Sequence, residues 1–212
     1  GACLMDQICN NYLSTYVLDA GTNKDDNTNK VLVSGKNYTA MEHAWDEAYG
    51  YVYGATGGLY WSSYIGQVDA DADFSNVSDD INLAFRKGRA AIVNNDYATR
   101  DEQIGIIRNR LALVAAVRAI YYLKEGEEKI GLGSAPPAFH ALSQGYGLII
   151  ALRYTNDNTN NPYFTNAEVA TMLSTLTAGA NGFWDLNYLN TILDDMAQDI
   201  AARFGITVAQ VY

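Results

Sequence analysis

Along the chain, apolar side chains recur at helical spacing in several long stretches, with charged or amide side chains between them. After Thr39, the residues Met41, Ala44, Trp45, Ala48, Tyr49 and Val52 fall three or four apart. After Thr99, Ile104, Ile107, Leu111, Val114 and Tyr121 do the same, and after Thr165 come Val169, Met172, Leu173 and Leu176. Each stretch opens on a threonine with a glutamate three residues on: Thr39 with Glu42, Thr99 with Glu102, Thr165 with Glu168. In that pattern the hydroxyl caps a first-turn N–H and the carboxylate reaches back to the cap's own N–H. Ser78 predicts a further helix through Ala84, Phe85, Ala91 and Ile92, and Pro136 with Pro137 predicts one running to about Arg153, since proline is tolerated in a first turn. The stretch "LNYLNTILDDMAQDIAARFG" carries Leu189, Ile192, Leu193, Met196, Ile200 and Phe204 as one stripe and stops at Gly205. No alternating, strand-like pattern of comparable strength is present. The expected fold is an all-α helical bundle forming one domain over residues 1–212.

The segments between these helices are polar and asparagine-rich, "GTNKDDNTNK" and "YTNDNTNNPYFTN", and read as solvated loops in which Asn and Asp satisfy the backbone locally. "GATGGLYWSSYIGQVDADADFSNVS" reads as a longer loop, of the kind packed by its own side chains, here Tyr60, Trp61 and Tyr64. The opening "GACLMDQICNNYLSTYVL" has Leu4, Ile8 and Tyr12 on one helical face and no capping residue ahead of it. The expectation is that the domain is the C-terminal part of a longer chain, whose missing N-terminal part packs against it as a partner.

Composition narrows the function classes. The 212 residues are 49% hydrophobic, enough for a sizeable core, and 24 acidic residues outnumber 14 basic ones for a net charge of -10. That charge repels nucleic-acid phosphates and anionic membrane surfaces, so nucleic-acid binding is set aside. The longest apolar run, "LALVAAVRAIYYL", is interrupted by Arg118 and too short for a transmembrane segment. Arg118 is expected to meet a carboxylate, because an unpaired buried charge is costly. Cys3 and Cys9 stand six apart, on different helical faces and too far to bridge, and read as small buried hydrophobes. The sixteen tyrosines, at helical spacing, read as core or interface.

The chain has only two histidines, and the residues around them match. "HAWDEAYG" from His43 and "HALSQGYG" from His140 share His, Ala, two variable residues, Glu or Gln, one variable residue, Tyr and Gly. On the first motif helix, near residues 39–54, His43, Glu47, Gly50 and Gly54 oppose the Trp45 stripe; near 136–153, His140, Gln144, Gly147 and Ala151 repeat the layout. This internal pseudo-repeat raises a metal site in a cleft between the two helices, with His43, Glu47 and His140 as ligands and Asp46 or Glu42 as further oxygen donors. Imidazole with carboxylate suits a divalent metal such as zinc or iron. The plainer alternative is that each histidine hydrogen-bonds a neighbouring helix and the glycines serve helix packing. A zinc peptidase of the HExxH type needs two histidines on one helix, which this chain lacks; in a hydrolase, Glu47 would be the base.

Two further clusters carry candidate chemistry. Asp69, Asp71 and Asp73 have the spacing that opens a calcium loop, although Phe74 stands where the tight turn wants glycine. Arg86, Lys87 and Arg89 either pair with acidic neighbours or hold an anionic ligand.

Taken in order, "MEHAWDEAYGYVYG", "LAFRKGRAAIVNND", "AVRAIYYL" and "HALSQGYGLIIALRY" resemble an imelysin-like bacterial envelope family described as a domain of unknown function. The resemblance implies two related helical bundles, a periplasmic or lipoprotein location, and a place in iron or other metal acquisition. Imelysin relatives carry a Gly-x-His-x-x-Glu motif proposed as a metal site, and some have been called metallopeptidases. Here the spacing is His-x-x-x-Glu with Met41 at the glycine position, a departure that counts against transferring the peptidase activity, and Gln144 stands where glutamate is favoured, which weakens an ionic ligand at the second site. The leading expectation is therefore a non-enzymatic envelope protein that binds a metal ion or metal-linked ligand. The alternatives are a metallopeptidase-like hydrolase and an interaction module without a ligand.

Overall fold

The structure, a computed structural model, describes residues 1–54, 58, 61–157, 159 and 161–212, and these are helical with polar connections. Two compact units form: Gly1, Cys3–Leu111 and Tyr154–Asn161 make the first, and Ala2, Ala112–Arg153 and Pro162–Tyr212 the second.

In the first unit, α1 (Ala2–Asp6) runs into a π-helical turn (Gln7–Tyr12), followed by α2 (Thr15–Leu18) and α3 (Asn23–Thr28). Then come α4 (Ala40–Tyr53), α5 (Trp61–Asp69), α6 (Val77–Val93) and the first half of α7 (Tyr97–Gly131). Helix α4 is the centre of this unit, packed by the π-turn, α2, α3, α5 and α6. Its predicted stripe is the buried one: Met41, Ala44, Trp45, Ala48 and Val52 are all in the core, and Tyr49 is partly exposed. The second unit comprises the rest of α7, α8 (Ala135–Leu152), α9 (Asn166–Leu176), α10 (Leu186–Leu189) and α11 (Leu193–Phe204). Helix α8 packs on α9, and Gly145 lets it approach Tyr122 and Leu123 of α7.

Where local chemistry decided, the sequence patterns are realised. Thr39 and Thr165 form both halves of their capping boxes, and Gly205, at φ +67°, closes α11 in the left-handed conformation. The third box does not form. Helix α7 starts at Tyr97, and it is Asp96 that accepts from the Thr99 N–H (3.1 Å) and hydroxyl (2.7 Å). An aspartate three residues earlier outcompeted the threonine because a carboxylate at an N-cap makes charge-assisted bonds. Helix α6 begins at Val77, after Asn76 in the left-handed region, one residue before the expected Ser78.

Two expected loops contain helices. Within "GTNKDDNTNK", α3 forms because Asn27 is fully buried and spends its amide on tertiary bonds. Its Nδ2 donates to the Ile92 carbonyl (2.8 Å), Asn95 Oδ1 (3.3 Å) and the Tyr97 hydroxyl (3.1 Å), and its Oδ1 accepts from Thr39 (2.7 Å). In the long stretch before α6, Trp61, Ile65 and Val68 make a short buried stripe that builds α5. Trp61 packs on Tyr64 at 5.6 Å between ring centroids; Tyr60 lies outside the described residues. The single C-terminal helix expected from Leu189 to Phe204 is broken at Asn190–Ile192, where Asp185 caps a separate one-turn α10 through the Tyr188 N–H.

The buried-cysteine expectation holds for Cys9 alone: Cys3 is exposed, and both are free thiols. Burial pushes the Cys9 thiol up to about 12, which makes it an inert core group whose Sγ–H faces Met5 Sδ. Arg118 is buried, but among the described residues no carboxylate pairs with it. Its guanidinium lies over the rings of Tyr121 and Tyr122, 4.2 and 4.6 Å from their centroids. Among the described residues no helix is long and apolar enough to cross a membrane.

Candidate functional site

The first histidine is held by the start of α4. The Thr39 N–H donates to Glu42 Oε2 (2.9 Å) and the Glu42 N–H to Thr39 Oγ1 (3.2 Å), and this double cap fixes where the helix begins and hence which way His43 points. His43 emerges on the exposed face, one turn before Glu47, with Nε2 3.5 Å from Glu47 Oε1. Its ring stacks on Tyr38, just ahead of the cap, at 4.7 Å between centroids and 15° between planes. The imidazole is thus oriented on two sides, while His43 and Glu47 remain 49% and 42% exposed at the side chain, open to a ligand.

Asp46 faces elsewhere. Arg89 of α6 donates to Asp46 Oδ1 through Nε (3.0 Å) and pairs with Glu42 Oε1 through Nη1 (3.1 Å), so both extra oxygen donors are engaged in an α4–α6 bridge. Arg89 therefore follows the acid-pairing expectation. Arg86, one turn before, is exposed and lines a hollow of about 520 Å³ between α4 and α6, with Asp46 and Arg89 on its rim and Trp45, Tyr49 and Phe85 beneath.

His140 lies on α8 in the second unit, near the start of a helix that carries Pro136 and Pro137 in its first turn. It is exposed, and its carbonyl accepts from the Ser143 hydroxyl (2.8 Å). Of the acidic trio, Asp69 ends α5 and accepts from the Ser78 N–H (2.9 Å), and Asp71 accepts from the Asp73 N–H (2.9 Å), so two of the three carboxylates cap backbone. Among the described residues, no three His, Cys, Asp or Glu side chains gather as a group that could hold a metal ion. The pair that is assembled is His43 with Glu47, whose Nε2 and Oε1 stand 3.5 Å apart.

Two tyrosines stand near Glu47, and sequence reasoning passed over both. Tyr51 follows Glu47 by one turn, as Glu47 follows His43, so the spacing His43, Glu47, Tyr51 was legible. Tyr12, at the end of the π-turn, stacks on Tyr51 at 5.3 Å and 29°, a long-range contact that no local pattern encodes. Burial, a hydrogen bond with Tyr51 and the nearby Glu47 carboxylate hold the Tyr12 phenol above its ordinary range. No curated protein and no solved structure matches the chain. A family model matches residues 1–207, nearly the whole chain, and the protein accordingly belongs to the DUF4856 family, a domain of unknown function.

Proposed function

We propose that this chain is a non-enzymatic, imelysin-like binding protein of the bacterial cell envelope that serves acquisition of iron or another metal. The metal ion, or a metal carried by an organic ligand, engages the exposed His43–Glu47 face of α4. The observation that carries this reading is the 3.5 Å approach of an oriented imidazole nitrogen to a carboxylate oxygen on an open surface. An i, i+4 pair of this kind is already at the separation a first-row metal requires, so binding needs little rearrangement. Hydrolysis, with Glu47 as the base, would further require a water-activating metal held by a third ligand.

Elemental analysis of the purified chain after metal loading, with titrations of His43→Ala, Glu47→Gln and His140→Ala, tests the reading. One equivalent of metal is expected, lost in His43→Ala and Glu47→Gln. Undiminished stoichiometric binding in both of these variants overturns it. The His140→Ala titration decides whether the second imidazole belongs to the same event.

A further inference from the structure

We infer that the hollow between α4 and α6 binds an aromatic monocarboxylate, with Arg86 holding the acid group above an aromatic floor. The site is separate from the metal-binding reading, since neither His43 nor Glu47 lines it. Both helices belong to the first unit, and the space between them, about 520 Å³, falls within the roughly 300–1,000 Å³ of small-molecule sites. Its floor is made by Trp45, Tyr49 and Phe85. Phe85 fixes that floor: Trp45, Tyr49 and Tyr53 meet its ring edge-on, at 5.9, 5.4 and 6.3 Å between centroids. The Phe85 carbonyl accepts from the Trp45 Nε1–H at 3.0 Å, and Gly88 packs against the same indole. The rings therefore cannot turn away, and a flat ligand meets a surface that is already formed. Trp45 and Phe85 are buried, whereas Tyr49 and Val93 of the lining are 39% and 45% exposed, so these two are the apolar groups that binding would cover.

The rim supplies the charge. Arg89 is taken by Asp46 at 3.0 Å and Glu42 at 3.1 Å, whereas among the described residues no carboxylate pairs with Arg86. Two guanidiniums, Arg86 and Arg89, against one carboxylate, Asp46, leave the lining positive by one in a chain of net charge -10. A hollow of that sign on an acidic protein draws an anion. The planar fork of Arg86 matches a carboxylate with two parallel N–H bonds, a fit that a lysine could not give. A single negative charge is the limit, because a second would meet Asp46 and Glu42. The floor then selects the body of the ligand, since aromatic rings pair with one another in offset or edge-to-face contacts at roughly 4.5–7 Å between centroids.

Calorimetric titration of 2-naphthoate and its neutral analogue 2-naphthamide into the whole metal-free chain, and into Arg86→Gln, Ala90→Trp and His43→Ala, tests the inference. Ala90 lines the hollow at an exposed helical position, so an indole there fills it without entering the core, and circular dichroism checks the fold. One equivalent of the acid is expected to bind, more tightly than the amide. Arg86→Gln should weaken the acid by roughly 10–100-fold, the size of a hydrogen bond to a charged group, and leave the amide where it was. Ala90→Trp should weaken both, and His43→Ala neither. Absence of saturable 2-naphthoate binding overturns the proposal, as does an acid that binds no better than the amide or an affinity that survives Arg86→Gln. Acid binding lost with His43 and kept without Arg86 would assign the anion to the His43–Glu47 face and overturn it as well.

Discussion

Gly88 of α6 lies directly under the indole of Trp45, so closely that a Cβ placed on it would overlap the Cζ2 and Cη2 atoms of the ring. The indole cannot step aside, because its Nε1–H donates to the Phe85 carbonyl (3.0 Å) and its ring meets Phe85 edge-on at 5.9 Å. Gly126 of α7 offers the contrast, for its Cβ would meet Leu142 Cδ2 at 2.5 Å and Cγ at 2.7 Å, atoms of a buried aliphatic side chain that has rotamers to change and no hydrogen bond to hold it. Alanine gains about 1 kcal/mol over glycine in a helix, and overpacking costs about 1–3 kcal/mol. Gly88→Ala should therefore fall at the costly end, losing up to about 2 kcal/mol in urea unfolding, and Gly126→Ala should lose less. Equal effects would contradict the difference in rigidity between the two neighbours.

The Arg100 guanidinium is fully buried, with Nη1 and Nη2 at 2.5 and 3.2 Å from the two Asp19 oxygens and Nε at 2.8 Å from Asp101 Oδ1. The two carboxylates are not equivalent, because the Asp19 side chain is 25% exposed and that of Asp101 50%. Removing the sheltered, bidentate partner of a buried charge costs on the order of 3–5 kcal/mol, and an exposed partner less than about 1 kcal/mol. Asp19→Ala should unfold at a clearly lower urea concentration than Asp101→Ala, and the reverse order would show that the bidentate contact is not the dominant one.

Acid stability should carry the signature of Glu168. The Thr165 N–H, then Arg203 and the Thr165 hydroxyl, hold its carboxyl down at about 2 from an ordinary 4.5. A group whose folded value is depressed stabilises the fold above its unfolded value and loses that contribution as pH falls through the folded one. The window is therefore pH 4.5 down to about 2. Thermal melts across it should show a shallower acid slope in Glu168→Gln than in the parent chain, and parallel slopes would remove Glu168 from the account.

How far the sequence disclosed this protein depended on the range of the interaction. Boxes at Thr39 and Thr165 and the stop at Gly205 are local, involving residues within four positions, and they are realised. Thr99 failed because the competing cap, Asp96, lay just outside the pattern being read. Helix α3 was invisible to hydrophobic periodicity because it is anchored by the amide of Asn27, whose partners at Ile92, Asn95 and Tyr97 are some 65 to 70 residues away. The candidate site divides in the same way. His43 and Glu47 are one helical turn apart and were legible, whereas Tyr12 reaches Tyr51 only after the π-turn has packed on α4.

The histidine's position finally depends on a hydrogen bond behind it. Thr39 Oγ1 accepts from the Glu42 N–H and donates to Asn27 Oδ1 at 2.7 Å, so one hydroxyl both caps α4 and ties it to α3. Asn27→Ala would leave the buried Thr39 hydroxyl without its acceptor, a cost of about 1–3 kcal/mol, while the Ile92 carbonyl keeps its bond from the Asn95 N–H (3.1 Å). Thr39→Ala loses the cap, about 1 kcal/mol, together with the same bond. Because the bond is shared, the losses should not add: a double-mutant cycle is expected to give a coupling of about 0.5–3 kcal/mol. The same opening should reach the site, since the His43 N–H donates to the Thr39 carbonyl at 3.0 Å in the first turn. Hydrogen exchange at the Glu42 and His43 amides should accelerate in Asn27→Ala while exchange at Ala48 and Val52 stays slow, as local fraying predicts. Uniform acceleration along α4 would mean that Asn27 supports the whole helix and not its first turn.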